Sequence, residues 1–176
     1  MRYLGVLLGL LCTISISGRE GETTDSVASP TLSVRDVFKN APATLLPTLS
    51  ENNRLDMIDF VDSNLRAIVD NLLGGKSEMT ALTDDSISLK ISNALQMTIL
   101  LLKPLQQPVD SISQVICVAQ TFGTDSTSLS TKIDYYTQNW VKMDVLPEFS
   151  VADKKRIEAL DLQTIANWDA ITLKKD

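Results

Sequence analysis

Histidine is absent from all 176 residues of the chain. That absence removes Ser-His and Cys-His nucleophiles, an imidazole base and any zinc site with a histidine ligand. Cysteine occurs only as Cys12 and Cys117. Cys12 falls in a segment read below as a removable signal, which leaves Cys117 without a disulfide partner and excludes a cysteine-rich metal site. Aromatic residues make up 5% of the chain, so few rings are available for stacking on a ligand. Neither G-x-S-x-G, S-x-x-K nor an EF-hand spacing occurs. No apolar run approaches the roughly 20 residues needed to cross a bilayer as a helix. Positive charge is also short: 16 Lys and Arg against 22 Asp and Glu give a net charge of −6, which argues against nucleic acid or anionic lipid as partners.

What is present begins with a layout for export. Arg2 supplies a positive start, Leu4 to Cys12 is continuously apolar, and Ser15 and Ser17 are small residues at a cleavage position. Residues 1–17 are therefore expected to be a secretory signal peptide. A lipid anchor at Cys12 is disfavoured because the preceding Leu11 is bulky. Residues 18–31 read as a polar, flexible leader, and residues 32–176 as one domain, a length that supports its own core. The expected location is the periplasm or cell envelope, with no transmembrane segment in the mature chain.

The periodicity predicts an α+β fold. Ser33 is placed to cap a short helix carrying Val34, Val37 and Phe38, and Pro42 and Pro47 bracket an apolar connector. Ser50 opens the main helix, with Leu55, Ile58, Val61 and Leu65 expected inside and Asp56, Asp59 and Asp62 outside. The stretch from Arg66 to Leu72 reads either as more helix or as a strand turning at Gly74-Gly75, and the hairpin is preferred. From Glu78 onward the period becomes two. Ile87, Leu89 and Ile91 form one strand and Leu95, Met97, Ile99 and Leu101 the next, with Asn93-Ala94 as a tight connection. Gln114 to Phe122 is apolar on both faces, as in a central strand. Thr131 to Tyr136 follows, and Trp140 to Met143 is expected to add another strand. Ser150 and Asp153 sit at capping-box spacing before a short C-terminal helix through Ile157 and Leu160, and Ile171 to Leu173 reads as a last strand. Consecutive strands with short links predict an antiparallel sheet of about five to seven strands, with an N-terminal helix on one face.

Candidate chemistry is sparse. Gly75-Lys76-Ser77 resembles the end of a phosphate-binding loop, but Asp70 occupies the position of its first glycine and a strand rather than a helix follows. Asp84 and Asp85 could hold a cation or divide acid and base roles. The simpler reading is a turn closed by side-chain hydrogen bonds. Arg54, near Asp56, is expected to form a structural Arg–Asp clamp. Trp140 could join Tyr135, Tyr136 and Trp168 in a carbohydrate platform, although alternating strand positions send such rings to opposite faces. Cys117, in an apolar run with no base nearby, is expected to be buried and inert. The candidate binding residues are thus Arg54, Asp56, Asp84, Asp85 and Trp140. No catalytic residue, metal site or cofactor is indicated.

Four blocks carry a resemblance to a known family: PATLLPTLSENNRLDMIDF from Pro42, NLLGGKSEMTALTDDSISLKIS from Asn71, QVICVAQTFGTDS from Gln114 and IDYYTQNW from Ile133. In this order they resemble small exported proteins from Bacteroides-type bacteria that form a domain of unknown function. Ser86 and Thr137 depart from that pattern, standing where an aromatic and an acid are expected. The resemblance implies export and assigns no activity or site residue. The sequence therefore supports a non-enzymatic exported module that binds a protein or glycan partner in the envelope. The alternatives are a carboxylate-based, glycan-active hydrolase using a pair among Asp56, Asp84, Asp85 and Asp134, or a structural subunit recognisable by an exposed apolar sheet face.

Overall fold

The computed structural model describes residues 31–106, 113–124 and 128–160. The expected signal, most of the expected leader, Trp168 and the expected strand from Ile171 lie outside them. The chain forms an α+β fold built on a six-stranded antiparallel sheet whose spatial order is its sequence order. The elements are α1 (Val34–Lys39), α2 (Glu51–Asp62), β1 (Ala67–Asp70), β2 (Lys76–Leu82), β3 (Ser86–Ser92), β4 (Leu95–Leu102), β5 (Val115–Phe122) and β6 (Ser130–Tyr136). A last helix, α3, occupies residues 151–160.

The helix starts follow the capping rules. The Ser33 hydroxyl accepts the Asp36 amide at the head of α1. At the head of α2, Ser50 Oγ accepts the Asn53 N–H and Asn53 Oδ1 accepts the Ser50 N–H, both at 3.1 Å. Two otherwise orphaned donors are satisfied reciprocally. Ser150 Oγ accepts the Asp153 N–H at 3.0 Å and heads α3.

The segment after α2 is a hairpin arm. Asn64 adopts φ +57°, which ends the helix in the left-handed region that asparagine tolerates. Asn71 then organises the β1–β2 turn. Its backbone N–H donates to the Gly75 carbonyl, and its Oδ1 accepts the amides of Leu73 and Gly75. Gly74 supplies the positive φ of +75° that the turn requires. The buried Nδ2 of Asn71 donates to Ser77 Oγ, which donates in turn to the Ile91 carbonyl.

Two sequence expectations are corrected. The buried stripe of α2 is Arg54, Met57 and Ile58, whereas Leu55 is 38% exposed and Leu65, past the helix, is 60% exposed. The stripe is rotated because α1 and the 42–49 connector, with Leu46 and Leu49 buried, fix which side of α2 faces inward. Trp140 to Met143 is not a strand. Trp140 adopts φ +60°, which breaks extended backbone, and only an isolated bridge joins Lys142 to Tyr136. The N-terminal helical layer consists of two helices, α1 over β3 and β4 and α2 over β1 and β2.

The sheet has two cores. Met79, Ile87, Leu89, Ile91, Met97, Ile99, Ile116 and Val118 face α1 and α2. Leu100, Leu102, Val115, Cys117 and Ala119 face the other way and pack with Phe149, Ile157 and Leu160 of the α3 region. This explains why β5 reads apolar on both faces. α3 covers only part of its face. Glu78 and Lys90 lie directly opposite each other on β2 and β3, and Arg66 forks onto Glu78 at 2.8 and 3.0 Å. The end of the β1 edge is tied down: Asn53 Nδ2 donates to the Asp70 carbonyl and the Leu72 N–H donates to the Thr48 carbonyl.

Candidate functional site

The charged groups converge at one rim of the sheet, where β2 and β4 end and β3 and β5 begin. The Thr83–Ser86 turn is closed by its own side chains. Thr83 Oγ1 accepts the amides of Asp85 and Ser86 and donates to Asp85 Oδ1 at 3.1 Å. The Thr83 and Ser86 hydroxyls lie 2.7 Å apart. The turn reading of Asp84-Asp85 thus describes the local geometry, and the Leu101 N–H anchors the turn by donating to the Asp85 carbonyl.

Opposite this turn stands the first part of α3. Arg156 Nη2 lies 3.0 Å from Asp85 Oδ2, and its Nη1 lies 3.2 Å from Asp153 Oδ1. Asp153 is itself steadied by the Ser150 hydroxyl at 2.9 Å. One guanidinium therefore ties the β2–β3 turn to the helix. Behind it, Gln114 mimics a strand partner for the entering chain: the Leu32 N–H donates to its Oε1 at 2.8 Å and its Nε2 donates to the Leu32 carbonyl at 3.2 Å. Gln138 Nε2 donates to Ser113 Oγ at 2.6 Å and reaches Gln114 Oε1 at 3.5 Å. These groups enclose a cleft of about 410 Å³ whose charged lining is Asp84, Asp85, Lys103, Asp153 and Arg156. Neither Asp84 nor Lys103 has an ion-pair partner among the described residues. The cleft thus offers a ligand one carboxylate and one ammonium that the fold does not consume.

The other candidates lie elsewhere. Arg54 is 8% exposed and donates from Nη1 to the Ala41 carbonyl at 2.6 Å. No ion pair to it occurs among the described residues, so the expected Arg–Asp clamp is replaced by a main-chain clamp holding the end of α1 to α2. Burial depresses the guanidinium pKa, opposed by the charge of Glu51. Asp56 is exposed on the opposite side of α2. Trp140 packs on Tyr136 with ring centroids 5.5 Å apart, while Tyr135 stacks on Phe149 at 6.5 Å across the sheet. The rings are split between two faces and form no common platform.

Asp134 is remote from the cleft, on β6, where Lys132 and Lys142 approach it at 2.6 and 2.8 Å. Burial raises its carboxyl pKa, but hydrogen bonds and charge from the two ammonium groups outweigh that effect and the net shift is downward. Cys117 is fully buried, and desolvation pushes its thiol up to about 12 against the opposing charge of Arg156 and a hydrogen bond from Tyr135. Burial of this kind disfavours the reactive thiolate. No group of His, Cys, Asp and Glu side chains suited to a metal ion occurs among the described residues, and none of their helices is long and apolar enough to cross a membrane.

Of the acids that a hydrolase would need, only Asp84 and Asp85 share a cleft. Sequence reasoning missed Lys103, Arg156 and the ligating side of Asp153. The readable signal was the three-residue spacing of Asp153 and Arg156, which suits a pair on one helix face. Its tertiary partner, Asp85, lies 71 positions away and had no signal in the sequence.

No curated protein matches the chain. A solved structure, that of a domain of an uncharacterized protein from Porphyromonas gingivalis W83, is similar in fold, with a TM-score of 0.50 and 20% identity. The match covers 64% of this chain and 54% of that one. The sequence profile of one family matches residues 26–174, a span that contains the whole of the fold described above. The chain therefore belongs to the family described as Protein of unknown function (DUF3256).

Proposed function

We propose that the chain is an exported, non-enzymatic binding module that engages an envelope protein or glycan at the rim cleft beneath α3. The observation that carries this reading is the division of labour around Arg156. Asp85 and Asp153 are committed to holding α3 on the sheet, while Asp84 and Lys103 remain available in the same cleft. Acid–base work requires two carboxylates poised across a substrate, and here two of the three are tied to one guanidinium. The export layout of residues 1–17 supports an envelope location, and the family match starts at residue 26, outside that layout. A structural subunit is less favoured, because the part of the sheet face that α3 leaves uncovered carries Glu78 and Lys90 rather than an apolar patch.

The test is a nuclear magnetic resonance titration of the full chain with defined envelope components: neutral oligosaccharides, acidic oligosaccharides and short peptides. Binding should move the amides of Leu32, Asp85 and Leu101, and Lys103→Ala should weaken it. Product signals growing in during the titration, lost on substitution of Asp84, would show turnover and sink the reading.

A further inference from the structure

A second cleft lies on the other side of Arg156, between α3 and the outer face of β3 and β4. It encloses about 370 Å³ and is lined by Ser86, Ser88, Thr98 and Leu100 from the sheet, and by Lys155, Arg156, Ala159 and Leu160 from α3. That volume lies at the small end of the range for ligand sites.

The lining has a consistent chemistry. Ser88 and Thr98 are direct cross-strand partners, so their side chains project from the same face close together. Neither hydroxyl is engaged by another side chain among the described residues. Across the cleft, Lys155 has no ion-pair partner among the described residues, whereas its neighbour Lys154 reaches Glu148 at 3.8 Å. Arg156 keeps its Nε–H and one further N–H on each of the two nitrogens that meet Asp85 and Asp153. No lining residue is acidic, in a chain whose net charge is −6. A group that accepts from hydroxyls, an ammonium and a guanidinium together is an oxyanion. The ester of a tetrahedral oxyanion presents three acceptor oxygens, and the apolar side chains of Leu100 and Ala159 offer a surface to its organic part.

We propose that this cleft binds the charged end of a small phosphate or sulfate monoester, with Lys155 as its charge partner and Ser88 and Thr98 as hydroxyl donors. The proposal deepens the binding-module reading and rests on it.

The experiment is isothermal titration of the full chain with glucose 6-phosphate, N-acetylglucosamine 6-sulfate and, as the neutral control, glucose. One or both esters should bind and glucose should not; which ester binds identifies the source of the oxyanion. Lys155→Glu should abolish binding, Lys155→Ala should weaken it about fivefold or more, and Lys154→Ala should leave it unchanged. Thermal midpoints of the exposed-lysine variants check that they remain folded. Equal affinity for glucose, or ester binding insensitive to Lys155→Glu, overturns the proposal. If no ester binds while Lys103-dependent binding of envelope components persists, the oxyanion proposal fails and the module reading stands. If neither cleft responds, both fail.

Discussion

Replacing Arg54 separates two effects that a buried arginine combines. In Arg54→Ala the charge-assisted hydrogen bond to the Ala41 carbonyl is lost, at about 1.5–3 kcal/mol. The buried aliphatic stem is lost as well, at about 1–2 kcal/mol for the methylenes removed. Against this, the protein no longer has to desolvate a guanidinium whose Nε lacks a partner among the described residues, a relief of about 1–3 kcal/mol. The expected net loss is about 2 kcal/mol. Arg54→Met gives up the hydrogen bond and receives the same relief, but it keeps most of the stem, so it should cost about 1 kcal/mol or less. Asp56→Ala should change stability by no more than about 0.5 kcal/mol, because Asp56 is exposed and does not pair with Arg54. Urea denaturation of the three variants, with the slope unchanged, measures all of this. A loss in Asp56→Ala comparable to that in Arg54→Ala would restore the ion-pair clamp and refute the argument. A methionine variant as damaged as the alanine variant would show that packing of the stem is not what distinguishes them.

Three further outcomes follow from the same structure. The Asp134 carboxyl titrates below its ordinary value of 3.8 when folded, so its stabilisation is fully present above that value and fades as pH falls through the lower, folded one. Asp134→Asn should cost about 1–2 kcal/mol at pH 7, limited by the exposure of both lysines, and the difference from the parent should shrink as the pH of an acid denaturation series falls below the ordinary value of 3.8. Cys117, with its thiol pushed to about 12 by burial, should resist alkylation at pH 8 and react only at the rate of unfolding; rapid labelling of native protein would contradict its burial. Asn71→Ala removes the acceptor for two turn amides and the buried donor to Ser77, and it should lower stability by about 2–3 kcal/mol in the same urea assay.

What the sequence revealed depended on how local each cause was. The strands around Ile87, Leu89 and Ile91, the Asn93-Ala94 turn, the cap at Ser150 and the hairpin at Gly74 all follow from neighbours in sequence. The inward face of α2 did not. A count of apolar residues puts Leu55 inside, yet the helix turns Arg54 and Met57 to the core because α1 and the proline connector settle its rotation. An arginine that buries its stem and finds a carbonyl has no signature in periodicity. The clefts were invisible for a related reason. They exist only because Phe149, Ile157 and Leu160 dock on the second face of β4 and β5, which places Arg156 against a turn formed far earlier in the chain.

The pairing of Leu32 with Gln114 bears on how the molecule assembles and opens. Most neighbouring strands join through hairpins that close short loops, a cheap entropic step. The Leu32–Gln114 clasp spans 82 positions, so closing it is entropically costly until β5 is in place, and it should form late in folding. The amide hydrogen of Leu32, held by a single side chain, should exchange with solvent well before those of β4 and β5. Release of the entering chain would then unlock one wall of the rim cleft while the sheet stays intact, a motion available to the native protein without global unfolding.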